Sequence, residues 1–318
     1  MKICLSRPMA ERFGDEIRAV AGDVELVVLG SDGAYDGDPS GAEVFFFSID
    51  LSFDEPAMAE AMQLMGQDSV RWVQGPGAGV DHPIWSRILD RGGRLTNASG
   101  IHAEPIAQYI FTYVLHWERQ VVRHQAQQAA REWQIILSGD LTAKTLGIVG
   151  LGGIGSATAR VARAFGMRVL ALRRSDREDP NVDRHLKSDE LHALLAESHY
   201  VVLCCPLSEE TRHLIGAREI EAMRDDAVLI NVARGGVVDE SALIPALEAG
   251  TIRGASLDVT EVEPLPPDSP LWSLERCVLT PHDAGYSPLA DERLGRLFLE
   301  NFRLYCEGAE MLRNEIRP

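Results

Sequence analysis

Cysteine is scarce in this chain: five residues among 318, none in a Cys-x-x-Cys pair. Cys4, Cys204, Cys205, Cys277 and Cys306 therefore suggest neither a zinc site nor a disulfide framework, and no metal ligand set is expected. Four of them lie in or beside apolar runs and read as buried free thiols, which fits a reducing cytoplasm. Long apolar stretches are missing too, since nothing approaches the ~20 residues of a membrane helix. The opening MKICLSRPMAER meets charge and proline too early for a secretory leader. Positive charge is in deficit: 31 Lys and Arg face 48 Asp and Glu, for a formal charge of -17. Such a surface argues against general binding to nucleic acid or to an anionic membrane. An anionic substrate would need a local cationic site.

What is present is an alternation of short apolar runs and amphipathic segments. The length is too great for one compact core, and 45% hydrophobic residues are enough to build two. KICLSRP, VELVVL, VFFFS and VRWVQG are of strand length, with segments such as EPAMAEAMQLMG between them. This order predicts an α/β fold with a parallel sheet covered on both faces. The loop GPGAGVDHP follows the fourth strand, and ligands of such sheets lie beyond the carboxyl ends of strands. One long helix is expected from about His102 to Arg131, opened by the capping residues and proline of NASGIHAEP. From Lys144 a second α/β unit begins: TLGIVG, MRVLALRR, SHYVVLCCP, DAVLINVA, RGASLDV and CVLTP as strands, with SDELHALLAE and ESALIPALEAG among the helices. A last helix, roughly Pro288 to Glu307, is expected to return to the first domain and make it discontinuous. The expected domains are therefore 1–97 with 288–318, and 98–287.

Gly150-Leu151-Gly152-Gly153-Ile154-Gly155 satisfies Gly-x-Gly-x-x-Gly, with a strand before it and a helix after it. Gly150 permits the tight turn, Gly152 lets backbone approach a pyrophosphate, and Gly155 lets helix and strand pack closely. The N–H groups at Gly153 and Ile154 then face the phosphates with the positive end of the helix dipole. An NAD site would carry an acidic residue at the end of the next strand. Here that place holds Arg173-Arg174-Ser175. A guanidinium cannot accept from a ribose hydroxyl but pairs well with a 2′-phosphate. NADP(H) is therefore the preferred cofactor, with NAD(H) the alternative through Asp176.

Three segments downstream each follow a strand: INVARGGVVDE with Arg234, LDVTEVEPLP with Glu263, and VLTPHDAG with His282. Together with TLGIVGLGGIG they resemble the D-isomer-specific 2-hydroxyacid dehydrogenase family over about residues 98 to 287. GAGVDH in the first domain also resembles the family's substrate loop; the rest of the first hundred residues is less distinctive. The resemblance implies a Rossmann cofactor domain inserted into a flavodoxin-like substrate domain, commonly as a homodimer. It implies interconversion of a small 2-oxo acid and its 2-hydroxy acid, glyoxylate and hydroxypyruvate being the first choices. His282 would act as proton donor, Glu263 would orient it, and Arg234 would bind the substrate carboxylate. Backbone N–H groups of Ala78 and Gly79 would bind the same carboxylate. Pro206 and Thr211 would border the adenine, and Val232, Asp258 and Ile106 would lie on the cofactor side.

Two positions depart from the family pattern. Gln108 stands where many relatives have Glu, and Asp283 stands beside His282 where a small or apolar residue is common. Asp283 is expected either to raise the His282 pKa or to point into solvent. Tyr286 and Trp85 are candidates for the substrate pocket, Trp85 more naturally for the core. A phosphite or phosphoglycerate dehydrogenase on the same fold remains an alternative, as does a binding protein that senses NAD(P)H. Glu263, where formate dehydrogenases of this type have Gln, counts against formate.

Overall fold

The computed structural model describes residues 1–80, 82–174 and 178–317. It divides into two compact units, Met1–His102 with Ser287–Pro318, and Ala103–Tyr286.

In the first unit the strands are β1 (Lys2–Ser6), β2 (Glu25–Leu29), β3 (Tyr35–Asp36), β4 (Val44–Phe46), β5 (Trp72–Gln74), β6 (Arg94–Thr96) and, from the chain's end, β14 (Glu315–Ile316). They form one sheet in the order β14-β6-β5-β4-β1-β2-β3. The five central strands are parallel, and β3 and β14 are short antiparallel edges. Counting only the parallel strands, the order is 2-1-3-4-5, the flavodoxin-like arrangement. Successive residues of β1 serve opposite faces: Ile3 and Leu5 join one core cluster and Cys4 the other. The first cluster packs α1 (Arg7–Ala21) and α10 (Pro288–Cys306); the second packs α2 (Glu55–Met65) and α3 (Pro83–Asp90). Helix α10 is locked on by a run of stacked rings, with Phe298 4.3 Å from Phe46 and 5.3 Å from Trp72 between centroids. Phe298 is fully buried, and truncating such a ring costs ~3–5 kcal/mol.

The second unit has β7 (Thr145–Val149), β8 (Arg168–Leu172), β9 (Arg184–Leu186), β10 (Tyr200–Leu203), β11 (Val228–Asn231), β12 (Gly254–Leu257) and β13 (Cys277–Leu279). All pair in parallel, in the order β13-β12-β11-β10-β7-β8-β9. Relabelled from β7 this is 3-2-1-4-5-6-7, a Rossmann sheet with a seventh strand. Leu146, Ile148, Tyr200, Val202, Val228 and Ile230 face α4 (Ala103–Glu118) and α6 (Gly153–Ala164). Val149, Val201, Leu203 and Leu229 face the cluster formed with α7 (Leu191–Glu197), α8 (Ala217–Glu221) and α9 (Glu240–Ala249). Both faces of every central strand are buried, which is why these strands read as unbroken apolar runs.

The single helix expected over 102–131 is two helices. α4 ends at Glu118, and α5 (Val121–Ala130) restarts after Gln120, which sits at φ 51°. No proline or glycine marks the break. Glu118 is pulled into the unit instead: it is 2% exposed, accepts a hydrogen bond from Tyr200 and lies 3.6 Å from Arg253. Arg253 also donates to the Trp117 carbonyl, the acceptor that the residue 121 amide would take if the helix ran on. Strands β3, β6, β9 and β14 were not expected; each is two or three residues long and borrows its pairing from a neighbour. Among the described residues no helix is long and apolar enough to cross a membrane. The five thiols are unpaired; Cys4 is buried, Cys204, Cys205 and Cys277 are half-buried, and Cys306 is exposed, so burial is full only at the first.

Candidate active site

The glycine turn lies between β7 and α6, and β7 is flanked by β8 and β10, the point where strand order reverses. Gly150 has φ 103°, and a Cβ there would lie 2.7 Å from the Cys205 backbone nitrogen. Any side chain would push the turn off the residues that follow β10, where the Cys204 Sγ donates to the Gly150 carbonyl. The turn therefore requires glycine. Gly152 is the N-cap of α6, with Gly153 and Ile154 its first residues and Gly155 buried behind them. A glycine N-cap has no side-chain oxygen to satisfy the first-turn N–H groups, so these donors suit an anionic ligand. The donor set fits a dinucleotide pyrophosphate.

Arg173 and Arg174 follow β8. The Arg173 amide bonds the Leu186 carbonyl, and the exposed Arg174 guanidinium is 3.4 Å from Glu210. Ser175, with Asp176, lies outside the described residues. Pro206 and Thr211 close one turn after β10: the Thr211 hydroxyl donates to the Pro206 carbonyl at 2.7 Å and accepts from the Ser208 amide at 2.7 Å. Val232 is 7% exposed and belongs, with the partly buried Ile106, to the α4/α6 core cluster. Gln108 is exposed on α4.

Arg234, Glu263 and His282 converge. Arg234 follows β11, where the buried Asn231 accepts from the Ala233 amide and donates to the Arg234 carbonyl, both at 3.0 Å. The next residue is Gly235, against which the Thr260 backbone packs so closely that a Cβ would lie 1.9 Å from the Thr260 carbonyl carbon. That contact fastens the Arg234 loop to the loop bearing Glu263. The Thr260 amide donates to Glu263 Oε1 at 3.1 Å, and Glu263 Oε2 lies 2.8 Å from His282 Nδ1. His282 is held above the ordinary histidine range, mainly by the hydrogen bond to Glu263 and then, against the opposing cost of burial, by that carboxylate's charge. Burial pushes the Glu263 carboxyl up, but the bond and charge of His282 with the Thr260 amide outweigh it and hold it below the usual range. With Nδ1 committed to Glu263, Nε2 is the ring nitrogen suited to proton exchange with a substrate.

His282 itself has φ 56°, a left-handed backbone that costs an L residue ~1–2 kcal/mol. The next residues hold it there. Asp258, 3% exposed, accepts the Thr280 hydroxyl at 2.7 Å and the amides of Asp283 and Ala284 at 3.1 and 3.2 Å. Burial, the largest influence, leaves Asp258 above the usual carboxylate range despite these donors. Expected as a cofactor-side residue, Asp258 has its carboxylate turned onto the His282 turn. Thr280 also bonds Tyr113 on α4. Asp283 does not point freely into solvent: its Oδ1 accepts the Tyr109 hydroxyl at 2.8 Å. Sequence reading missed Asn231, Thr280, Tyr109 and Tyr113. Only Asn231, polar at the end of the apolar run VLIN, carried a visible signal. Tyr286 is 48% exposed beside this turn.

In the first unit, the loop holding Ala78 and Gly79 follows β5. Its carbonyls are engaged, Pro76 by His102 at 2.9 Å, Gly77 by the Ala98 amide and Ala78 by Asn97, each at 2.8 Å. Trp85 packs into that unit's core, 6.4 Å from Phe47. Among the described residues, one group has the chemistry to hold a metal ion: His213, Asp239 and Glu261, whose ligand atoms lie within 4.8 Å of one another.

A Rossmann sheet with a glycine turn at its switch point, and a His–Glu pair beside an arginine on the same sheet edge, define an α/β dehydrogenase. The family model for the NAD-binding domain of D-isomer-specific 2-hydroxyacid dehydrogenases matches residues 111–284. The chain belongs to the D-isomer-specific 2-hydroxyacid dehydrogenase family, and it is an oxidoreductase that uses a nicotinamide dinucleotide. A glyoxylate reductase of Korarchaeum cryptofilum is 39% identical over 236 residues, 72% of this chain and 71% of that one. One from Thermococcus gammatolerans is 36% identical over 250 residues, 75% and 74% of the two chains. Among solved structures, a family protein from Aeromonas salmonicida superposes with a TM-score of 0.83 at 30% identity, covering 99% of this chain and 98% of that one. A D-isomer-specific 2-hydroxyacid dehydrogenase from Xanthobacter autotrophicus, in complex with NADPH and MES, superposes with a TM-score of 0.80 at 28% identity, covering 100% and 98%.

Proposed function

We propose that this enzyme reduces a small 2-oxo acid, glyoxylate or hydroxypyruvate first among them, to the 2-hydroxy acid, with NADPH preferred over NADH. The observation that carries the reading is the 2.8 Å pair of Glu263 with His282, set beside Arg234. The bound nicotinamide nucleotide supplies the hydride. As negative charge develops on the substrate oxygen, His282 Nε2 donates the proton, and Glu263 stabilises the charged imidazole before transfer. Arg234 pairs with the substrate carboxylate. The Gly150–Gly155 turn and the α6 N-terminus hold the pyrophosphate. Pro206 and Thr211 border the adenine, and Arg173, Arg174 and Ser175 receive the 2′-phosphate. The glyoxylate reductase names of the two curated relatives support the substrate class, and the NADPH of the Xanthobacter structure supports the cofactor.

The test is a panel of 2-oxo acids assayed with NADPH and NADH in parallel. Glyoxylate or hydroxypyruvate should oxidise NADPH with a kcat/KM at least about tenfold above NADH, the worth of one charge-assisted contact. Replacing Arg173 and Arg174 by Ser should remove that preference. A parent enzyme that favours NADH would refute the NADP assignment. Turnover only with phosphite or 3-phosphoglycerate would replace the substrate class, and nucleotide binding without any turnover would favour a sensing protein.

We also propose a homodimer in a reducing cytoplasm. α5 buries none of its residues, and after it Trp133, Ile135 and Leu137 are 99%, 96% and 94% exposed. The segment is not a loose end, for Gln120 bonds the Leu137 carbonyl and Arg119 the Gly139 carbonyl. Three Arg and no acidic residue between 119 and 131, in a chain of charge -17, make a second copy an electrostatically suitable cover. Sedimentation at micromolar concentration should give twice the chain mass, and a Trp133→Glu, Ile135→Lys variant should sediment as a monomer. A monomeric parent would end this reading.

A further inference from the structure

The Asp283 side chain is engaged by a helix distant in sequence. The Tyr109 hydroxyl on α4 donates to Asp283 Oδ1 at 2.8 Å. Tyr109 is itself seated, its ring edge-on to Tyr113 with centroids 5.3 Å apart. Tyr113 in turn bonds Thr280, which bonds Asp258, which accepts the Asp283 amide. Residue 283 is thus held twice, by its side chain from α4 and by its backbone from Asp258. Between it and Pro281 sits His282, at φ 56° in the left-handed region, which an L residue adopts at a cost.

We propose that Asp283 and Tyr109 are positioning residues for the proton donor: their hydrogen bond holds the 282–283 turn so that the His282 imidazole stays on Glu263. The proposal rests on His282 being the proton donor. The imidazole bonds Glu263, and the other charges that act on it most are Arg234 and Asp258. The Asp283 carboxylate is taken up by Tyr109, so the action proposed for it is mechanical. An asparagine at 283 keeps an oxygen that can accept from Tyr109, whereas alanine does not. Without the tether the backbone can relax toward negative φ, the imidazole leaves Glu263, and its pKa returns toward the ordinary histidine value.

The experiment compares Asp283→Ala, Asp283→Asn, Tyr109→Phe and the double variant Tyr109→Phe/Asp283→Ala, with His282→Ala alongside. Asp283→Ala should lower kcat for 2-oxo acid reduction about tenfold with KM changed less than twofold. Its loss of activity at high pH should begin at lower pH than in the parent. Tyr109→Phe should behave likewise, and the double variant should be no worse than either single one, since both break one contact. Asp283→Asn should recover most of the rate. A merely structural role would lower the melting temperature and the active fraction without moving the pH profile. Asp283→Ala with parental kcat and pH profile, Asp283→Asn as poor as Asp283→Ala, or losses that multiply in the double variant would each overturn the proposal. If His282→Ala is inactive while Asp283→Ala is unaffected, the positioning claim fails alone. If His282→Ala keeps parental turnover, the proton-donor reading fails and the proposal with it.

Discussion

His282→Ala is expected to lower turnover in the reductive direction by about 100-fold or more, the usual contribution of a positioned general acid. Nucleotide affinity should be unchanged, because the Gly150–Gly155 turn proposed for the pyrophosphate lies elsewhere, between β7 and α6. The pH dependence carries a sign that tests the same assignment. An acid must hold its proton to donate it, so the reduction rate should fall as pH rises through the His282 pKa. Glu263 raises that pKa, chiefly through the 2.8 Å hydrogen bond. Activity should therefore persist to higher pH than an unassisted histidine would allow. Glu263→Gln removes the charge while keeping a hydrogen-bond acceptor, and its falling limb should move to lower pH. Oxidation of the hydroxy acid needs the neutral imidazole and should show the opposite slope. Rate–pH profiles of parent and Glu263→Gln decide the matter: an unmoved limb would separate Glu263 from the titration, and parental turnover in His282→Ala would assign the proton to another group.

Arg234→Lys is the second large effect expected. Lysine retains the charge but not the planar fork that grips a carboxylate with two parallel hydrogen bonds. A loss of ~2 kcal/mol is the lower end for a charge pair deprived of its geometry, and corresponds to about 30-fold in kcat/KM. Arg234→Met, which leaves no cation, should lose more. Because Asn231 and the Gly235–Thr260 contact fix the loop through its backbone, these side-chain changes should leave the melting temperature nearly unaltered. The steady-state constants measure the effect, with nucleotide binding as the control. A kcat/KM for Arg234→Lys within threefold of the parent would remove Arg234 from the carboxylate.

Much of this molecule is legible in its residue order. The Gly150–Gly155 motif announces itself because a tight turn at φ 103° tolerates no Cβ and a phosphate site at a helix N-terminus needs bare backbone. Strand runs such as TLGIV and VLINV are visible because both faces are buried. The edge strands are not: β14 pairs two residues with β6 across more than two hundred positions, and no local pattern encodes such a partner. The break between α4 and α5 is equally hidden, because the group that takes the Trp117 carbonyl there, Arg253, lies far from α4 in sequence. Asp283 illustrates the limit at single-residue scale. Its departure from the family pattern could be seen, but the alternatives drawn from sequence, a charge acting on His282 or a solvated carboxylate, both omitted Tyr109.

The order of residues by itself determined the two α/β units, the dinucleotide turn and the identities of the arginine, glutamate and histidine, because each depends on local chemistry: periodicity, backbone freedom, or a functional group that no other side chain supplies. Tertiary structure alone decided that Nδ1 of His282 meets Glu263, that Asp258 braces the His282 turn, and that Tyr109 reaches Asp283. Those are contacts between segments 19 to 174 residues apart, and the distances and angles that make a hydrogen bond are set by the packing of whole strands and helices, which no short stretch of sequence contains.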